Sequence, residues 1–129
     1  MHNSLPNTVD YLEIPTRNLA ETKRFFGELF AWTFTDYGPD YASFDDGRMA
    51  GGFFQSEKTT SVDAGSPLIV FYHEALEEIR GKVTALGGRI TRDIFDFPGG
   101  RRFHFADPGE GEFAIWSDKP TLVMRKGSQ

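Results

Sequence analysis

The order of predicted elements occurs twice along the chain, and this repeat restricts the possible folds more than any other feature. A strand-like run at 9–16 precedes one helical pattern, and a second run at 67–73 precedes another. Three further strand-like segments with turn signals between them follow each helix. The chain therefore repeats a β-α-β-β-β order at an offset of about 57 residues, measured from Leu19 to Leu76.

This repeat predicts one α+β domain built from two βαβββ modules in tandem. We expect module 1 at about 8–54, a polar linker at 55–66 and module 2 at about 67–118. The tail at 119–129 is expected to add a short edge strand.

Both helices have clear sequence signals. The first is predicted from about Leu19 to Ala31, with Asn18 as N-cap and Glu21 at the spacing of a capping box. The second is predicted over about 75–86, and the two glycines after it end the helix. Buried stripes at three- and four-residue spacing are expected from Thr22, Phe25, Phe26, Leu29 and Phe30 in the first helix, and from Leu76, Ile79, Val83 and Leu86 in the second.

Composition excludes several function classes. The 129 residues carry a formal net charge of −5 and no run of more than two basic residues, which disfavours nucleic acid as a partner. They contain no cysteine, so disulfides, thiolate nucleophiles and zinc-thiolate sites are excluded. The sequence shows no membrane-length apolar run and no signal-peptide pattern, and we expect a soluble cytoplasmic protein without a membrane partner.

Four phrases in order resemble the vicinal oxygen chelate superfamily, the glyoxalase/bleomycin resistance protein/dioxygenase group. They are "YLEIPTRNLAETKRFFGELFAW" at 11–32, "AGGFF" at 50–54, "VTALGGRI" at 83–90 and "FADPGEGEFAIW" at 105–116. Within it they look most like the small bacterial glyoxalase-related proteins, over residues 8 to 118. The resemblance implies curved sheets that form a cleft. In the metalloenzymes of this superfamily, His or Glu side chains from the first and last strand of each module hold a divalent metal there.

The positions that the resemblance assigns to metal ligands carry no strong donor. They are Tyr11, Leu68, Gly51 or Gly52, and Ala114. A neutral phenol with a pKa near 10 is a poor ligand at neutral pH, and the other side chains have no donor atom. We therefore predict no cofactor and no metal site.

Glu13, His104 and Glu112 are the remaining candidates for acid–base catalysis or for a non-standard divalent metal site. Glu13 is either a base with a raised pKa or a carboxylate paired with an arginine, the second being favoured. Glu112 starts a strand beside a turn, which favours a solvated carboxylate. His104 alternates with two phenylalanines, and alternation alone does not say which set faces inward.

Strand alternation places Tyr11, Tyr72 and Trp116 toward the cleft, where they would stack on a flat or apolar ligand or fill an interface. With Glu13 and His104 they form the predicted ligand-binding set. We expect a protein that binds a small organic molecule in an apolar, aromatic-lined cleft. The alternatives are a lyase, isomerase or dioxygenase-like enzyme and a structural dimer with a closed cleft. Exposed sheet edges also predict a homodimer.

Overall fold

The computed structural model describes residues 3–120, which form two helices and eight strands. In chain order the elements are β1 (Tyr11–Thr16), α1 (Leu19–Phe30), β2 (Thr33–Asp36), β3 (Tyr41–Asp45), β4 (Ala50–Gln55), β5 (Ile69–Tyr72), α2 (Leu76–Ala85), β6 (Arg89–Phe97), β7 (Gly100–Ala106) and β8 (Glu112–Ser117). The repeated order of elements and both helices are confirmed. The edge strand predicted in the tail falls largely on residues 121–129, outside the described part. The boundaries of the modules and the linker stay a prediction.

The strands form two four-stranded sheets with the same topology. Sheet A has the order β1-β4-β3-β2, and sheet B has the order β5-β8-β7-β6. In each sheet the first strand pairs in parallel with the last strand of its module, while the other pairs are antiparallel. This is the predicted pair of βαβββ modules, so the fold class is confirmed.

Local hydrogen bonds explain where the helices begin. Asn18 Oδ1 accepts the N–H of Glu21 at 3.2 Å, as predicted for an N-cap. The carboxylate of Glu21 binds Arg24 and does not close a capping box. Before α2, the N–H of Ala75 donates to Nδ1 of His73 at 3.0 Å, so this histidine has a local structural role.

Helix α1 lies between the two sheets and gives them one shared core. Phe26 stacks on Phe53 of sheet A, with ring centroids 5.6 Å apart, and meets Phe113 of sheet B edge-on at 5.2 Å. Trp32 lies in the same way between Phe44 and Phe71. The covered face of each sheet is therefore turned toward α1. The opposite face of each, here called its open face, points away from α1.

A buried chain of hydrogen bonds also joins the modules. Thr16 and Thr22 hydroxyl oxygens lie 2.6 Å apart, and Thr22 Oγ1 donates to Asp107 Oδ2 at 2.6 Å. The Asp107 carboxylate also accepts the N–H groups of Gly109 and Gly111 in its own turn. A Cβ at residue 109 would collide with both threonine hydroxyls, so this position requires glycine.

Candidate functional site

The open face of sheet A carries a cluster of two tyrosines and a carboxylate. Tyr11 and Tyr41 hydroxyls lie 2.6 Å apart, and Tyr41 donates to Glu13 Oε2 at 3.0 Å. Burial, together with the hydrogen bonds to Tyr11 and Glu13, raises the pKa of Tyr41. A Cβ at Gly52 would overlap the Tyr41 hydroxyl, so the absent side chain makes room for the cluster. Glu13 is thus bound by a tyrosine and not by the arginine that the sequence favoured.

The alternation predicted for β1 is confirmed. Ile14 is 2% exposed and lies in the core, whereas Tyr11 on the open face is 41% exposed. Gly52 pairs with Glu13 beneath the tyrosines, while a Cβ at Gly51 would meet Phe44 and the core. Of the two glycines, only Gly52 therefore lies on the open face.

The side chains at the positions that the resemblance assigns to metal ligands do not form a metal site in a single chain. Tyr11, Gly52 and Ala114 occupy the strand positions discussed above, and Leu68 lies just before β5. Across residues 3–120, no three His, Asp or Glu side chains converge in a way that would hold an ion. The fold family implies a metal, but the residues at these places supply at most one phenol oxygen.

The open face of sheet B has an aromatic end. The rings of Tyr72 and Trp116 lie 5.2 Å apart, and Phe97 meets Trp116 edge-on at 6.1 Å. Phe97, Trp116, Val70 and Arg102 line a pocket of about 220 Å³. Arg102 Nε is buried and has no hydrogen-bond partner among residues 3–120, while its guanidinium carbon lies 5.5 Å from the Phe97 ring centre.

His104 lies on this same open face. Its flanking residues Phe103 and Phe105 are fully buried in the core, and His104 pairs with Ala114 across β8. The histidine is 6% exposed, and no group in the described part of the chain forms a hydrogen bond with its Nε2. Burial lowers the pKa of His104, with smaller effects from neighbouring charges, so the ring is neutral at pH 7.

Glu112 anchors the linker. Its carboxylate accepts the N–H of Val62 at 2.8 Å and the hydroxyl of Thr91 at 3.2 Å. These bonds close one side of a pocket of about 600 Å³, here called the linker pocket, which His104 also lines. The observed contacts of Glu112 therefore position residues 59–63 beside sheet B.

Another pocket, of about 520 Å³, opens toward the shared core between edge strands β1 and β5. Leu12, Ile14, Trp32 and Phe71 form part of its wall, and Arg48 lies at the same pocket. None of the predicted site residues lines it.

The predicted ligand-binding residues fall into two groups. Tyr11 and Glu13 lie on sheet A, and Tyr72, His104 and Trp116 lie on sheet B, with α1 between the sheets. Sequence reasoning missed Tyr41, although it alternates with the buried Ala42 in β3. It did not assign Arg102 to the site either, although Arg102 has the same strand parity as His104.

Comparison with protein families gives a direct match. The model of the Glyoxalase/Bleomycin resistance protein/Dioxygenase superfamily matches residues 8–115. The chain belongs to this superfamily. Comparison with curated protein sequences gave no match.

Solved structures of this superfamily have the same fold. The fosfomycin resistance protein FosX from Listeria monocytogenes, complexed with Mn(II) and dihydroxypropylphosphonic acid, is 14% identical with a TM-score of 0.72, and the alignment covers 94% of each chain. The lactoylglutathione lyase from Agrobacterium tumefaciens is 16% identical with a TM-score of 0.66, covering 88% of this chain and 96% of that one. A glyoxalase-related enzyme from Fulvimarina pelagi is 19% identical with a TM-score of 0.65, covering 86% and 88%. At such identities the likeness shows the fold alone.

Neither helix in residues 3–120 has the length and apolar character needed to cross a membrane.

Proposed function

We propose that this superfamily member binds a small organic molecule on the open face of sheet B, without a metal ion. The observation that carries the proposal is the unpartnered Nε of Arg102 beside the rings of Phe97 and Trp116. Buried polar groups nearly always have a partner, so a ligand acceptor placed among these rings would satisfy this donor. A flat apolar part of the same ligand would stack on Trp116.

The comparisons support a small-molecule role. FosX was solved with a phosphonic acid bound, and the Agrobacterium protein is named as a lactoylglutathione lyase. Their names concern small organic substrates or products, and the open face of this chain has side chains suited to such a ligand. Binding is favoured over acid–base catalysis because Glu112 is engaged with the linker and Glu13 lies on the other sheet.

The test uses 8-anilinonaphthalene-1-sulfonate, an aromatic anion whose fluorescence increases on binding to apolar surfaces. Trp116→Ala should weaken its binding about tenfold, since an aromatic contact with its buried area contributes on the order of 1–2 kcal/mol. Tyr37→Ala is the matched control, because Tyr37 is an exposed residue whose ring lies beside Tyr41 of sheet A. Equal affinity of the wild type and the Trp116 variant would contradict the proposal.

A second measurement separates binding from catalysis. Glu13→Gln should leave binding of the probe unchanged, because Glu13 and Trp116 lie on different sheets. An acid–base enzyme that uses Glu13 would instead lose turnover in this variant while keeping affinity. A substrate whose conversion disappears in Glu13→Gln would favour the enzyme over the binding protein.

We also propose that the chain forms a homodimer through its open faces. Tyr11 on sheet A, with Val70 and Tyr72 on sheet B, leaves large apolar side chains at 40–46% exposure on these faces. A second copy would cover them. Light scattering should give twice the chain mass of 14.5 kDa, and a single species at 14.5 kDa would refute the dimer.

A further inference from the structure

The linker pocket lies on the same sheet face as Trp116 but has a different chemistry. Residues 59–63 form one wall, and the open face of sheet B near the start of β8 forms another. His104 pairs with Ala114, which lies two residues before Trp116 in β8. Two residues of a strand span about 7 Å, so the His104 end and the Trp116 end of the face are about this far apart. A single small ligand is long enough to contact both ends of the face.

Two arginines at the linker pocket have no carboxylate partner within residues 3–120. Arg89, a third arginine at the pocket, pairs with Glu110 at 3.1 Å. No ion pair joins Arg17 or Arg92 to any described carboxylate, and the Arg92 guanidinium lies over the Phe95 ring at 3.6 Å. Both positive charges are therefore available to a ligand.

A β-bulge places Arg92 directly across from His104. The register between β6 and β7 shifts on both sides of the Arg92–His104 pair: the three residues 90–92 of β6 lie opposite two of β7, and the four residues 92–95 lie opposite three. Paired residues share a sheet face, so Arg92 and His104 are on the open face together. The unpartnered Nε2 of His104 thus lies at a pocket that also contains two unpaired guanidinium groups.

Of the three carboxylates at the pocket, only Glu110 forms an ion pair within residues 3–120. Glu112 is bound by Val62 and Thr91, Glu110 is bound by Arg89, and Asp63 is exposed on the linker. The chain as a whole has a net charge of −5, which repels anions in general. Any anion that binds must therefore be attracted by a local site.

We propose that the linker pocket binds an oxyanion, a carboxylate or phosphate group, through Arg17, Arg92 and His104. The planar arginine fork can donate two hydrogen bonds to two oxygens of either group, and in its Nε2–H tautomer the neutral histidine donates one more. The inference extends the proposed function, because it gives the ligand an anionic end in the linker pocket and an apolar end at Trp116. The ligand class is then an organic acid or an organic phosphate.

The test measures binding of inorganic phosphate and of benzoate by calorimetry at pH 7.5 and low ionic strength. Arg92→Gln and Arg17→Gln should each weaken binding of at least one probe about five- to tenfold. Arg48→Gln removes the same charge at the core-side pocket and should change nothing. Thermal unfolding of each variant within about 2 °C of the wild type shows that the fold is intact.

The imidazole signals of His104 in NMR spectra give a second readout. They should shift on addition of the bound probe, whereas those of His73, whose Nδ1 accepts the N–H of Ala75, should not. Phosphate binding without benzoate binding identifies a phosphate site, and the reverse identifies a carboxylate site. Absence of binding by both probes at 10 mM, or equal affinities in all three arginine variants, would overturn the inference.

The two proposals fail in different ways. If phosphate or benzoate binding depends on Arg92 but the aromatic probe is insensitive to Trp116→Ala, the oxyanion site stands and the aromatic binding function falls. If the aromatic probe depends on Trp116 but neither anion responds to Arg17 and Arg92, the function stands and the oxyanion site falls.

Discussion

Replacing Thr22 by valine tests whether the buried hydroxyl chain joins the two modules. Valine keeps the shape of the side chain but removes the hydroxyl between Thr16 and Asp107. Asp107 Oδ2 then keeps only the Gly109 N–H, and the Thr16 hydroxyl keeps only the N–H of Asn18. Removing one partner of a buried ionisable group costs about 1.5–3 kcal/mol.

This cost predicts a clear change in unfolding. For a chain of this size, 1 kcal/mol corresponds to roughly 3–5 °C in Tm, so Thr22→Val should lower Tm by roughly 5–15 °C. Thr84→Val is the matched control, because Thr84 is an exposed helical threonine whose hydroxyl bonds only to Gly81 O. Its free energy of unfolding should change by less than about 0.5 kcal/mol.

Asp107→Ala completes a double-mutant cycle. It removes three accepted hydrogen bonds, from Thr22, Gly109 and Gly111, and should cost about 3–5 kcal/mol in urea unfolding. Because Thr22 and Asp107 are in direct contact, their effects should be non-additive by about 1 kcal/mol or more. Additive effects would refute the view that they act through one shared bond.

The pH dependence of the same variant has a definite sign. Burial raises the pKa of Asp107 despite its hydrogen bonds, so the folded state binds the proton more tightly than the unfolded state. The contribution of Asp107 to the stability of the folded state is therefore fully present below the pKa of about 3.9 that it has in the unfolded chain, and it is lost as the pH rises through its pKa in the folded state. The stability gap between the wild type and Asp107→Ala should therefore narrow from pH 4 to pH 7, and a widening gap would contradict the reasoning.

Three shorter predictions concern other sites. Gly52→Ala should displace the Tyr41 hydroxyl and lower the pKa of Tyr41 toward its usual value, adding about one tyrosinate in ultraviolet titration at pH 11; an unchanged titration would refute the cluster. Arg101 lowers the pKa of Glu77, so Glu77→Gln should cost up to about 1 kcal/mol at pH 7 and less at pH 3, because the pair's contribution is lost as the pH falls through the lowered folded pKa; urea unfolding at both values checks this. Zinc, nickel, manganese and iron(II) should not bind at micromolar concentration in calorimetry, and tight binding of any of them would show a donor set that one chain does not provide.

Local sequence rules were sufficient where the chain's own neighbours decide the structure. The start of α1 at Asn18 follows from a side chain that binds the helix's free N–H groups, and the burial of Ile14 next to exposed Tyr11 follows from strand alternation. The repeated order of elements fixed the module topology for the same reason, since each module uses short connections within its own segment. The resemblance of four phrases then identified the family that the comparison confirmed.

The candidate site depended on contacts between distant segments, which alternation does not specify. The face of His104 became known only through its pairing with Ala114, and Arg92 joins it because a bulge changes the parity of β6. The engagement of Glu112 required the linker to fold back onto β8. The separation of Tyr11 and Glu13 from Tyr72, His104 and Trp116 arises because α1 inserts Phe26 between the sheets. Sequence periodicity thus determined which side chains share a strand face, while tertiary packing decided which faces meet. The reason is that the hydrophobic effect favours covering apolar surface but is non-directional, so it does not specify which other surface covers it.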